Sequence, residues 1–207
     1  NYPDHPTTGT PGVDSFINAY EGLADEGATQ ILSLHISESL SAISSIAETA
    51  SKEFDSIPVA VRDSTQLSMG TGFQVERAAR MAKNGETLDE IISELEDMAG
   101  RSFVTAALDT LEFLRRSGRM NPFLTGLGSQ LQLKPILTMQ DGLPGSERVR
   151  TSVKAEERLV EMLKQRQPME QFALLHTNAP AQAEAFLSKI THLIPTGEVY
   201  SMDITPV

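Results

Sequence analysis

Thr29–Thr65, TQILSLHISESLSAISSIAETASKEFDSIPVAVRDST, is the stretch whose reading decides the fold. Its first eight residues, Thr29–Ile36, are rich in apolar and β-compatible side chains, the pattern of a buried strand. Ser37–Leu40 sits where such a strand hands over to a helix. The spacing of Leu40, Ile43, Ile46, Ala47 and Ala50 predicts a helix over about Ser39–Phe54 with those residues on its inner side. A second strand, Ile57–Val61, ends in Asp63-Ser64-Thr65, and a second helix over about Leu67–Asn84 closes at Gly85. Two strand–helix units in succession predict a parallel sheet with helices against it, because parallel strands need a crossover and a helix supplies one.

On the N-terminal side, Asn1–Gly12 (NYPDHPTTGTPG) holds three prolines and two glycines and reads as irregular. Val13–Glu26 follows at helical spacing, with Gly27 as its cap. Downstream, Glu86–Ala99 places Leu88, Ile91, Ile92, Leu95 and Met98 on one face, and Thr87 with Glu90 forms a capping-box pattern. Ser102–Leu108 reads as a strand, with Asp109 capping a short helix through Ser117. Leu131–Met139 reads as a further strand, in which Pro135 belongs at an edge, a start or a bulge. Asp141-Gly142 is a turn signal. Thr151–Gln165 and Pro180–Leu193 read as helices, and Phe172–His176 and Glu198–Ile204 as strands. With a composition break near Gly100, the expectation is an α/β chain of two subdomains. Residues 1–100 carry a parallel sheet with flanking helices, and residues 101–207 a mixed sheet with helices.

The totals set limits on function. At 207 residues, 40% hydrophobic and 22% charged, the chain can bury a sizeable core. A formal charge of −11 repels nucleic acid and anionic lipid surfaces at long range, so no nucleic-acid partner is expected. Cysteine is absent, which excludes disulfides and thiolate metal sites. No apolar run reaches the roughly 18 residues of a membrane span, so no stable membrane insertion is expected. A cytoplasmic location is the expectation. The first residue is not Met and Asp203–Val207 reads as a strand leading onward, so the chain is expected to be a piece of a larger protein.

Hydroxyl residues gather at presumed turns: Thr7, Thr8 and Thr10, then Ser37, Ser39 and Ser41, then Ser64, Thr65 and Ser68. At the C-terminal ends of strands such side chains, with nearby helix N-terminal amides, can hold a carboxylate or phosphate. Helix capping is the commoner duty of any one of them. No G-x-S-x-G elbow or Walker loop occurs, and Met69-Gly-Thr-Gly72 is too short for a phosphate cradle. His5, His35, His176 and His192 lack metal-ligand spacing, so no metal site is expected. His35 and His176 read as hydrogen-bonded structural residues. Arg115, Arg116 and Arg119 form a basic patch beside Gly118. A helix C-terminus explains Arg115 and Arg116 but explains Arg119, past the turn, less well.

A second stretch, Leu108–Gly142, contains Leu111-Glu-Phe-Leu114, Ser117-Gly-Arg119, Leu127-Gly-Ser129, Leu133-Lys-Pro-Ile-Leu137 and Asp141-Gly142. In this order the pieces resemble the DegV family of fatty-acid-binding proteins, which includes the acyl-carrier subunit of bacterial fatty acid kinase. Thr8-Gly-Thr-Pro11 is similar to the family's Thr-Ser-x-Pro loop, with Gly9 in place of serine. Ile36-Ser-Glu-Ser-Leu-Ser41 resembles its Ser-rich segment, with Ala42 and Ile43 replacing a Gly-Thr pair, and Asp63-Ser64 resembles its Asp-Ser turn.

The resemblance implies a two-domain α/β fold with a buried acyl-shaped tunnel. It implies that Thr8 and Ser41, with Thr10 and Ser39 beside them, hold the carboxylate, and that Arg119 faces the kinase. It also implies a first strand and a C-terminal His-x-Gly-Pro-Gly motif that this chain lacks. The expected function is therefore a non-catalytic lipid-binding subunit, without cofactor, that presents a long-chain fatty acid to the catalytic subunit of a fatty acid kinase. The alternative is an enzyme acting on a small phosphorylated or acyl substrate through the Ser/Thr loops. A third reading is an interaction module with no ligand.

Overall fold

The computed structural model describes residues 9–118, 120, 134–196 and 199–204. The described elements follow the order α1 (Val13–Asp25), β1 (Ile31–His35), α2 (Ile43–Glu53), β2 (Val59–Asp63), α3 (Met69–Lys83), α4 (Leu88–Arg101) and β3 (Phe103–Ala107). Then come α5 (Glu112–Arg116), β4 (Lys134–Gln140), β5 (Leu143–Val149), α6 (Ser152–Gln165), β6 (Ala173–His176), α7 (Pro180–Ile190) and β7 (Tyr200–Asp203). The fold is mixed α/β. It divides into two compact units, one of residues 9–104 and 138–145, the other of the described residues within 105–137 and 146–207.

In the first unit β1 and β2 pair in parallel, in register from Ile31↔Val59 to His35↔Asp63. Strand alternation sends successive β1 side chains to opposite faces. Ile31 joins Tyr20 of α1, Ala50 of α2 and Phe54 in one core, with Phe16, Ile17 and Val59 packed against it. Leu32 and Leu34 pack on the other face against Met81 of α3 and Ile91 and Leu95 of α4. Both faces are covered, which is why β1 and β2 read as apolar runs. The capping box forms as the sequence predicts: Thr87 Oγ1 accepts from Glu90 N, and Glu90 Oε2 accepts from Thr87 N at 2.8 Å.

The second unit contains the parallel pair β6–β7, in register from Ala173↔Tyr200 to His176↔Asp203. Its core is Leu163 of α6, Phe172 and Ile190 of α7, with Leu174, Phe186 and Leu187 against them. Arg158 clasps Glu147 through two hydrogen bonds of 2.7 and 2.8 Å.

Strands β3, β4 and β5 form a three-stranded sheet in the order β3-β4-β5. Pro135 is the second residue of the central strand, where its carbonyl accepts from Leu108 N at 3.0 Å, so a strand start is the position that tolerates it. Asp141 and Gly142 have φ of 50° and 75° and join β4 to β5 in two residues, the backbone of a type I′ hairpin turn. One strand goes beyond the sequence expectations, and one local expectation fails. Leu143–Val149 is a strand that the sequence conceals behind Pro144 and Gly145. Asp109 does not cap α5: its carboxylate takes Lys134 Nζ at 2.7 Å, while Thr110 Oγ1 accepts from Glu112 N.

Candidate functional site: a hydroxyl-lined cleft

Parallel strands in register end side by side, and the loops that leave β1 and β2 are therefore neighbours. Three cross-links tie them. Ser64 N donates to His35 O at 2.9 Å, Ser37 N donates to Gln66 O at 2.8 Å, and Glu38 N donates to the Asp63 carboxylate, Oδ2, at 3.1 Å. The other carboxylate oxygen, Oδ1, accepts from Thr65 N at 2.7 Å. This last bond is an Asx turn, and it holds Thr65 at φ +55°, a region that β-branched residues rarely enter.

Between these loops, the start of α2 and the Asp141-Gly142 turn lies an open cleft of about 790 Å³. Five hydroxyl residues line it: Ser37, Ser39, Ser41, Ser45 and Thr65. Ser37 Oγ and Ser39 Oγ are 2.9 Å apart, and Ser37 Oγ has a long 3.5 Å contact to Gly142 O. Ser39 can therefore donate outward whenever Ser37 donates to it. Ser41 Oγ accepts from Ile43 N at 3.3 Å, which leaves its own proton free to donate. Helix α2 has no side-chain cap bond at Ala42, and the first-turn amides of Ser44 and Ser45 have no acceptor within the helix. Hydroxyl and amide donors at one strand–helix junction suit an anionic headgroup. Carboxylates line the cleft too: Glu38 and Asp141 are exposed to screening water, while both oxygens of the half-buried Asp63 accept N–H donors.

Beneath the cleft is a buried polar layer tied by hydrogen bonds, in which Gln66 Oε1 has no partner among the described residues. Ser64 and Gln66 are 0% exposed and Gln74 is 1% exposed. Ser64 Oγ bonds Thr71 Oγ1 at 2.8 Å, Gln74 Nε2 donates to Ser64 O at 2.9 Å, and Gln66 Nε2 donates to Ser102 O at 3.1 Å. The bonds of Ser64, Gln74 and the Gln66 amide nitrogen hold the loop after β2 in one arrangement. A second hollow of about 210 Å³, walled by Leu34, Ile92 and Leu95, shares Asp63 and Thr65 with the cleft.

Ser39 and Ser41 stand together in the cleft as cleft-lining hydroxyls. Thr10 is exposed and is not among the residues that line it. Thr8 and Arg119 lie outside the described residues. Arg115 and Arg116 both pair with Glu112, whose carboxyl they hold down at about 2. No Lys, Arg or His is among the described residues that line the cleft. His35 is bound inside the first unit, its Nε2 2.8 Å from Ser33 Oγ, which also accepts from Tyr20 Oη at 2.9 Å. Burial lowers its pKa against the opposing pull of the Asp63 carboxylate. Ser45 escaped the sequence reading because it sits inside a helix. In the sequence Asp63 shows as part of a turn, and an Asp two residues before a Thr at a strand end is the Asx-turn pattern.

A family model described as uncharacterised protein, DegV family, matches residues 2–207. A DegV domain-containing protein of Streptomyces coelicolor is 35% identical over 193 residues, which is 91% of this chain and 68% of the relative. A solved structure described as fatty acid binding of a DegV family protein from Thermus thermophilus is 32% identical with a TM-score of 0.81, covering 96% of this chain and 72% of that one. The structure of DegV, a fatty acid binding protein from Bacillus subtilis, is 30% identical with a TM-score of 0.83, covering 95% and 71%.

Proposed function

The chain belongs to the DegV family, and from that premise we propose that it binds a long-chain fatty acid, with the carboxylate at the cleft between the β1 and β2 loops. The observation that supports this most is the gathering of Ser37, Ser39, Ser41, Ser45 and Thr65 around one opening. An acyl chain gains about 0.8 kcal/mol per methylene removed from water, while a carboxylate buried without donors is unfavourable. A buried acyl tunnel opening at the hydroxyl cleft would meet both requirements, and neutral donors would leave a carboxylate oxygen reachable by a second protein.

The bound acid is then presented to the catalytic subunit of a fatty acid kinase, and the chain contributes no chemistry of its own. Arg119 is the contact for that partner. Arg119→Ala leaves acid binding intact and slows phosphoryl transfer by the kinase; loss of acid binding instead would contradict this part. For the cleft, titration with palmitate tests the reading. Ser41→Ala should weaken binding by about tenfold, the worth of one hydrogen bond to a charged acceptor. Unchanged affinity in a Ser39→Ala, Ser41→Ala double variant would place the headgroup elsewhere. Turnover of an acyl or phosphorylated substrate without any kinase would favour the enzyme alternative.

A further inference from the structure

We propose that Asp63 is the positioning residue of the headgroup site: its carboxylate, without touching the ligand, clamps the two hydroxyl loops into one binding surface. This inference rests on the fatty-acid reading for the identity of the headgroup, while the clamp itself rests on geometry alone. Each carboxylate oxygen is committed to a different loop, Oδ2 to Glu38 N at 3.1 Å and Oδ1 to Thr65 N at 2.7 Å. The remaining links between these loops run from backbone to backbone, Ser64 N to His35 O and Ser37 N to Gln66 O. Asp63 thus supplies a side-chain connection that the backbone ladder cannot.

Its consequences reach three cleft walls. The bond to Glu38 fixes the Ser37–Leu40 turn, in which Leu40 N donates to Ser37 O at 3.0 Å, and so orients Ser37 and Ser39. The bond to Thr65 stabilises a left-handed backbone that a β-branched residue adopts only against a cost. Thr65 in turn lies against the hairpin turn, where a Cβ built on Gly142 would be 3.5 Å from Thr65 Cβ. The charge is also spent: two N–H donors aimed at the carboxylate offset the repulsion it would exert on an anionic ligand. An acidic residue in an anion site is intelligible on these terms.

Asp63→Asn preserves shape and tests the clamp, because an amide offers one acceptor oxygen and turns N–H donors toward the other loop amide. In the intact chain, amide hydrogen exchange at Glu38 or Thr65 should accelerate by about tenfold or more, with exchange in α4 unchanged. Palmitate affinity should fall by about tenfold while affinity for hexadecanol, which has the same chain and no carboxylate, stays within about twofold. Unaltered exchange at both amides overturns the clamp. Equal loss of palmitate and hexadecanol binding overturns the headgroup role and leaves Asp63 a general stabiliser. If the unsubstituted chain binds neither lipid, the fatty-acid reading and the headgroup role fall together, and the exchange rates still decide the clamp.

Discussion

Gly70→Ala sets two effects of opposite sign against each other, and the structure says which wins. Gly70 is the second residue of α3, and alanine there gains at most about 1 kcal/mol in helix propensity over glycine. The new Cβ would stand 2.9 Å from Val104 Cγ2, 3.0 Å from Gln66 Oε1 and 3.1 Å from Gln66 Cβ. Gln66 cannot swing away, because it is fully buried and its Nε2 is held by Ser102 O. Overpacking of this kind costs about 1–3 kcal/mol, so the net expectation is a loss of about 1–2 kcal/mol. Gly22, inside α1, is the control: nothing lies within 4 Å of its built Cβ, and Gly22→Ala should stabilise the same unit by about 0.5–1 kcal/mol. Urea unfolding followed by circular dichroism measures both, read as midpoint shifts at constant slope. If Gly70→Ala stabilises as much as Gly22→Ala does, the close packing of α3 on Gln66 and β3 is refuted.

Other consequences are as direct. Thr87→Ala removes the hydroxyl half of the capping box and should cost about 1 kcal/mol in the same unfolding assay; the carboxyl of Glu90, held down first by the Thr87 backbone N–H and then by its hydroxyl, should rise only part of the way toward its ordinary range by NMR. Because burial lowers the pKa of His35, the unfolded chain binds more protons than the native one as pH falls through about 6.5, so stability should decline on acidification in that window. Urea midpoints at about pH 7.5 and 5.5, with His35→Asn flattening the difference, check the sign, and a midpoint that rises toward acid contradicts it. Glu112 pairs with Arg115 and Arg116 at the protein surface, so its carboxyl, held at about 2 by them, should return toward the usual value in about 1 M salt, where the Debye length is about 3 Å.

Most of the fold was legible because it rests on local signals. The apolar run of Ile31–His35 and the inner face of α2 gave the parallel pair its partners, and Thr87 with Glu90 marked the start of α4, where Thr87 is the N-cap and Leu88 the first helical residue. The strand β5 was not legible, since Pro144 and Gly145 are strand-breaking residues by composition. For Gly145 the reason is a contact: a Cβ there would lie 2.7 Å from Thr138 Oγ1 on the facing strand. In the cleft, Ser39 and Ser41 could be singled out because loop hydroxyls at a strand end are visible in sequence. Ser45 was hidden by helical periodicity. The bond from Asp63 to Glu38 spans 25 residues, and only the register of β1 with β2 brings that pair together.

The central claim, that this chain holds a fatty acid by its carboxylate at the hydroxyl cleft, meets its most direct test in native mass spectrometry of the protein as purified. The expected result is a bound acid of about 14–18 carbons, long enough that methylene burial outweighs the loss of freedom on binding. The account also predicts that the Ser39→Ala, Ser41→Ala variant retains far less of that acid. Protein that carries no lipid and takes up no added palmitate would contradict it.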